Sequence, residues 1–216
     1  MNTMNDKPFI TVICPTTPSR GEWLPRAIDC FLSQDYEGGA ELIIVADSDP
    51  ETVSLHCEPC HPMRDGSKMS VIACAGSIGA KRNAGCAAAN GELILHLDDD
   101  DHSSSGRLSD QARCLLDTGK SVTGYHSMRF TDGSRWWKNS NPPRWAFDTS
   151  LCYKKAFWQA HRFDEINDGL EANFRAAAIR EKQFISVDAG EMMYATIHPG
   201  NTSKRNVVIG AGWQAA

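Results

Sequence analysis

The chain has 216 residues with 41% apolar and 23% charged side chains, the make-up of a soluble globular protein with one good-sized core or two small ones. Its net charge is -5 and no basic block is longer than Lys81-Arg82 or Lys204-Arg205, which speaks against a dedicated duplex-DNA binder. No apolar stretch reaches the roughly 18 residues of a membrane-spanning helix, and the start MNTMNDKPFI carries no signal-peptide pattern, so a cytoplasmic protein is the expectation.

Phe9 to Cys14 is a β-branched run that stops at Pro15, a strand entering a loop. After the loop PTTPSRGEW, apolar groups at Leu24, Ala27, Ile28, Phe31 and Leu32 predict a helix over 24–34. Residues 41–46, ELIIVA, form a nearly continuous apolar run, as in a parallel strand covered on both faces, and end in Asp47-Ser48-Asp49. Next come HCEPCH at 56–61, a weaker strand at 70–74, a small-residue helix at 78–89 and a fourth strand at 92–97. Alternating strands and helices predict a doubly wound α/β sheet, in which ligands bind beyond the carboxyl ends of the strands. Three polar stretches lie at such ends: PTTPSR, DSD and DDDD.

The fourth strand runs into Asp98-Asp99-Asp100-Asp101. Four adjacent carboxylates repel one another unless a positive group sits among them or water screens them. A helix-capping loop accounts for one or two of them. A hard divalent cation held by carboxylate oxygens, with a phosphate-bearing substrate completing its shell, accounts for the run.

In the second half, 121–130 reads as a strand and 131–134 as a turn, with RWWKNSNPPRW as a loop or hairpin tip. A short strand is expected at 148–153, a helical turn at 155–159, a helix at 170–181, and strands at 184–187 and 192–197. Trp136 and Trp137, beside Arg135 and Lys138, suit either an acceptor-facing loop or a hydrophobic cluster; Trp145 and Trp158 share that choice. Cys14, Cys30, Cys74, Cys86, Cys114 and Cys152 are scattered singly and read as free thiols. His56, Cys57, Cys60 and His61 formally match a haem-attachment or zinc pattern; an exposed loop is the default. A single domain is expected, with a nucleotide-binding half at 8–101, an acceptor-binding half at 102–205 and a tail at 206–216.

Taken in order, ITVICPTTPSR, ELIIVADSD, IGAKRNAGCAAANGELILHLDDDD, DGLEANFRAA and IHPGNTSKR resemble the inverting family 2 glycosyltransferases of GT-A fold over about residues 8 to 205. The resemblance implies an α/β GT-A fold, Rossmann-like, with a mostly parallel central sheet flanked by helices and a small acceptor-binding sub-region. It implies a nucleotide-diphosphate sugar donor, with a UDP-sugar expected, and Mn2+ or Mg2+ as cofactor. Leu97 to Asp101 fits the family's Leu-Asp-x-Asp-Asp ending. By that likeness Asp98 and Asp99 face the donor and Asp100 the metal. Pro15, Thr16, Thr17 and Arg20 line the nucleoside loop, and Asp47 binds base or ribose. Lys81 and Arg82 neutralise the diphosphate or hold the base loop. His198 contacts the metal or diphosphate, and Lys204 or Arg205 closes over the phosphates.

Inversion needs a base for the acceptor hydroxyl. The family takes it from a Glu-Asp pair followed three residues later by an aromatic residue. Setting Phe174 as that aromatic puts Glu171 at the base position and Leu170 in place of the Glu, a departure from the pattern. Asp168 is the second candidate, and both also suit a helix start. The acceptor remains open among glycan, protein, small molecule and modified nucleobase. A nucleotidyltransferase is disfavoured, because no Gly-rich loop follows the first strand. A binding module without transfer is the non-enzymatic alternative, favoured only by the altered Leu170-Glu171 pair.

Overall fold

The computed structural model describes residues 7–47, 68–203 and 207–216. His56, Cys57, Cys60, His61, Lys204 and Arg205, with Ser48 and Asp49 of the DSD stretch, lie outside the described residues. Among the described residues, no helix is long and apolar enough to cross a membrane.

The first half builds four parallel strands: β1 (Ile10–Pro15), β2 (Ala40–Ala46), β3 (Lys68–Ala73) and β4 (Leu93–His96), ordered β3-β2-β1-β4. Every residue of β1, β2 and β4 is buried, as the continuous apolar runs require. Alternation sorts them onto two faces. Val12, Cys14, Leu42, Ile44, Leu93 and Leu95 pack under α1 (Leu24–Leu32) and α3 (Arg107–Thr118). Ile13, Ile43, Val45 and Ile94 pack against Cys86 of α2 (Ile78–Ala88), Phe157 of α4 (Lys155–Ala160) and Phe174 of α5 (Ala172–Arg180).

The second half is mixed. β8 (Cys152–Lys154) lies antiparallel between β4 and β6 (Val122–Thr131). The rest of that edge of β6 pairs with β7 (Trp136–Ser140), which in turn pairs with β11 (Trp213–Ala215). The other edge takes β9 (Phe184–Asp188), then β10 (Met193–Thr196), both parallel to β6. The two-residue β5 (His102–Ser103) runs antiparallel to β10 and so ties the aspartate run to that strand. A third core of Tyr125, Phe130, Trp137, Phe147, Met193 and Trp213 fills this half.

Four expectations need correction. Residues 107–118 form a helix that the sequence reading left unassigned. Residues 136–140 are a paired strand, not a loop tip. Residues 148–150 make a single 3-10 turn ahead of β8 rather than extending it, and 213–215 of the supposed tail join the sheet. Of the four tryptophans, Trp137 and Trp158 take the hydrophobic-cluster alternative. Trp137 and Trp158 are buried, Trp136 is half-buried beneath Arg129 at 4.6 Å, and Trp145 packs edge-on against Phe147. The six described cysteines are free thiols, as expected.

Candidate active site

The site begins with how α2 is held. Its N-cap Ser77 accepts from the Ala80 amide, and the Ile78 and Gly79 amides donate to Asn167 Oδ1 and the Ile166 carbonyl. Two glycines allow this seat. A Cβ at Gly79 would lie 1.9 Å from the Asp164 carbonyl oxygen, and one at Gly85 would lie 2.7 Å from Ile13. The small-residue helix therefore presses onto β1 and the 164–169 loop at once. That places Lys81 and Arg82 beneath the carboxyl ends of the strands, both buried.

The aspartate run leaves β4 and spreads its four carboxylates over separate partners. Asp98 takes Arg82 at 2.9 Å. Asp99 takes the Thr16 hydroxyl at 2.7 Å and a bidentate grip from Arg20 at 2.6 to 3.0 Å. Asp100 Oδ2 receives Arg20 at 2.5 Å, His198 Nε2 at 2.8 Å and Asn201 Nδ2 at 3.1 Å. Asp101 accepts from the Thr149 hydroxyl at 2.7 Å and the Thr196 amide at 3.2 Å. Burial pushes the Asp99 carboxyl up, with Arg20 pulling it back. Burial, then Asp100 and Asp98, push Asp101 well above the carboxylate range. Burial opposes the Arg20 charge, yet its bonds to Asp99 and Asp100 outweigh that and hold its proton more firmly.

Behind the run lies Arg107, a fully buried cation that the sequence reading missed. It donates to the His96 and Thr149 carbonyls at 2.8 and 2.9 Å, to Ser103 Oγ at 2.7 Å and to Gln111 at 3.2 Å. It thus fastens the end of β4 to the 148–150 turn and fixes where the aspartates emerge.

These groups open into one cleft of about 980 Å3, counted out to solvent. Pro15, Thr16, Thr17, Arg20, Lys81, Arg82, Asp98, Asp99, Asp100, Asp168 and Glu171 all line it. Asp47 and His198 do not line it but each contacts a residue that does, Lys81 and Asp100 respectively. Asp47 pairs with Lys81 at 2.9 Å and accepts from the Gly76 amide, while Lys81 also donates to the Thr16 carbonyl. The two carboxylates of the 164–172 segment that line the cleft, Asp168 and Glu171, differ. Glu171 has no exposed surface and forms an ion pair with Arg82, the same guanidinium that holds Asp98. Asp168 is exposed at the rim and accepts from the Ser203 hydroxyl at 2.7 Å.

Among the described residues, no three His, Cys, Asp or Glu side chains form a ready-made metal cage. Asp100 and His198 do meet, one carboxylate and one imidazole. Two protein ligands suit Mg2+ or Mn2+, whose remaining positions are commonly taken by water and substrate phosphates. The donor set fits such an ion, with the Arg20 guanidinium now bridging Asp99 and Asp100. Sequence reasoning also missed Thr149, Thr196, Asn201 and Ser203. Of these, only Asn201 and Ser203 lay in a stretch it had marked, IHPGNTSKR.

A family model described as glycosyl transferase family 2 matches residues 11–181. Among solved structures, the chain is similar to residues 1–349 of S. aureus TarS in complex with UDP-GlcNAc. The TM-score is 0.68 at 18% identity, covering 89% of this chain and 59% of that one. It is also similar to the mannosyltransferase PcManGT from Pyrobaculum calidifontis in complex with GDP-Man and Mn2+. There the TM-score is 0.64 at 16% identity, covering 88% of this chain and 57% of that one. The chain thus spans less than three fifths of these structures' length, and at such identities the likeness shows the fold, which is GT-A. No curated protein matches the sequence.

Proposed function

Because the chain belongs to glycosyl transferase family 2, a family of enzymes that sets aside the nucleotidyltransferase and the bare binding module, we propose that it is a divalent-metal-dependent, inverting glycosyltransferase. Its donor is a nucleotide-diphosphate sugar, in the first place a UDP-sugar, and its acceptor carries a hydroxyl. One observation carries the reading. A single cleft at the carboxyl ends of β1 and β4 joins Arg20, Lys81 and Arg82 to Asp98, Asp99 and Asp100, with two further carboxylates on the facing wall. Cations for a diphosphate, acids for a metal and ribose, and a carboxylate for an acceptor proton are the parts such a transfer needs.

In this proposal the chain is one domain, with donor binding in 8–101 and acceptor binding in 102–205. Pro15, Thr16, Thr17 and Asp47 hold the nucleoside, and Asp98 and Asp99 hold ribose and donor. Asp100 and His198 hold Mn2+ or Mg2+, which when bound neutralises charge on the departing diphosphate. Arg82 leaves Glu171 for the donor's phosphates. A carboxylate facing a buried guanidinium is a weak base, and the exchange frees it. The acceptor oxygen then attacks the anomeric carbon as the carbon–oxygen bond to the diphosphate breaks, and Glu171 takes the acceptor's proton. Asp168, at the mouth, is the second carboxylate in reach of an acceptor.

Melting temperature in the presence of a panel of nucleoside diphosphates, with and without Mn2+, tests the donor site. A ligand at 100 times its dissociation constant adds about 2.7 kcal/mol, a shift of several degrees. The expected result is a Mn2+-dependent rise with UDP. No rise with any nucleotide would overturn the reading.

A further inference from the structure

The Asp100 oxygen that would meet a metal already serves three donors, and all three belong to a connected strap. Arg20 donates to Asp100 at 2.5 Å and, through its other terminal nitrogen, to the Gly200 carbonyl at 3.2 Å. The Gly200 amide donates to His198 Nδ1 at 3.2 Å, so His198 Nε2 carries the ring hydrogen and points it at Asp100. Asn201 accepts from the His198 amide at 2.7 Å while its side-chain nitrogen donates to Asp100 and to the Thr196 carbonyl. Trp23 stacks on the His198 ring at 4.7 Å. Residues 198–201 are therefore fastened to Asp100 and to the guanidinium bound to it, besides the Thr196 carbonyl and the Trp23 ring.

We propose that Arg20 is an internal counter-cation that competes with the divalent ion for Asp99 and Asp100, and that Asn201 is the positioning residue that locks 198–201 onto Asp100 until an ion displaces them. The inference rests on the reading above that Asp100 and His198 hold the ion. Asp100 Oδ2 takes three N–H donors, more than its two lone pairs can serve well, so an ion that binds through this oxygen displaces donors already there. His198 ligates through Nε2 only after its ring hydrogen moves to Nδ1, and the Gly200 amide now occupies Nδ1. An ion held by Asp100 Oδ2 and His198 Nε2 therefore competes with the Arg20–Asp100, Asn201–Asp100 and Gly200–His198 bonds at once. Arg20, still anchored on Asp99, is left beside the donor's phosphates. Arg20 supplies the charge that neutralises Asp99 and Asp100, so metal loading and rearrangement of the strap are linked.

The test measures Mn2+ binding by calorimetry, with UDP present, in the wild-type chain and in Arg20→Met and Asn201→Ala. Hydrogen exchange across 198–203 is followed alongside, with and without the ion. Removing the competing cation is expected to tighten Mn2+ binding about tenfold in Arg20→Met, although transfer falls. Asn201→Ala is expected to tighten it less, roughly threefold. In the wild-type chain the ion speeds exchange across 198–203, a readout that needs no variant to fold. If Mn2+ binds the wild type but both variants bind it equally or more weakly, or exchange across the strap does not change, the inference is overturned while the metal reading stands. If Mn2+ binds none of the three, the metal reading itself fails.

Discussion

In the parallel half Lys81 and Arg82 are buried and Arg20 is mostly covered where each meets its aspartate, whereas in the mixed half Arg129 and Lys138 meet Glu191 and Asp188 with both partners in solvent. Both halves contain ion pairs of similar length, 2.6 to 2.9 Å, so distance does not separate them. Burial does. A buried pair leaves an uncompensated charge when one partner is removed, whereas an exposed pair hands its partner back to water. Charge in the first half is therefore under constraint and available for chemistry. In the second half the exposed pairs decorate an aromatic core built from Tyr125, Phe130, Trp137 and Phe147, and the buried Arg107 and Glu171 belong instead with the site.

The sharpest way to break this contrast is at the facing wall. Glu171→Gln keeps the shape of the Arg82 partner and removes the proton acceptor. Transfer is expected to fall by about 10^3, within the range for loss of a general base, and the melting temperature is expected to fall as well, since buried Arg82 keeps only Asp98 as a charged partner. Asp168→Asn at the rim is expected to cost less than about tenfold. The reverse order, measured as release of nucleoside diphosphate with acceptor present, would move the base to Asp168.

Next in size comes the buried cation behind the aspartates. Arg107→Met strands the His96 and Thr149 carbonyls and should destabilise the fold by about 3 kcal/mol, read by denaturant titration. A cost under about 1 kcal/mol would mean Arg107 does not fasten the strand end.

Smaller still is a pH effect at His96. Its ring is fully buried, Nδ1 facing the Asp148 carbonyl at 3.0 Å and Nε2 facing the Tyr153 hydroxyl at 2.9 Å. Burial, then Arg82, hold its pKa well below the usual histidine value. The unfolded chain therefore binds this proton more readily than the folded one. The stability it contributes is present above the ordinary value of about 6.5 and is lost as pH falls from there toward the folded value. Between pH 6.5 and 5.5 the wild type should lose on the order of 1 kcal/mol relative to His96→Gln. A gap between the two proteins that holds constant across that window would contradict the assignment. At the low end, Lys138→Ala, whose pair with Asp188 is exposed, should shift stability by no more than about 0.5 kcal/mol.

The same division governs what could be read from the sequence. The strands at 10–15, 40–46 and 93–96 were legible because burial on both faces demands unbroken apolar runs. The helix at 107–118 was not, since Arg107 and Gln111 are polar yet buried and interrupt the stripe of Leu108, Ala112 and Leu115. Trp136 to Ser140 hid as a strand because its cross-strand partners on β6 supply the pairing that its own polar text does not advertise. At the site, the aspartates and the Lys81-Arg82 pair stood out as local text. Their partners did not. Thr149 lies 48 residues from Asp101, and Asn201 lies 101 residues from Asp100, distances that only the folded sheet closes.

Release of UDP from a UDP-sugar, compared between the wild-type chain and Asp100→Asn with Mn2+ and after full metal removal, tests the central claim most directly. The account predicts Mn2+-dependent release that drops at least about 100-fold in Asp100→Asn and vanishes without metal. Release that persists undiminished after both changes would contradict a metal-assisted transfer at this cleft.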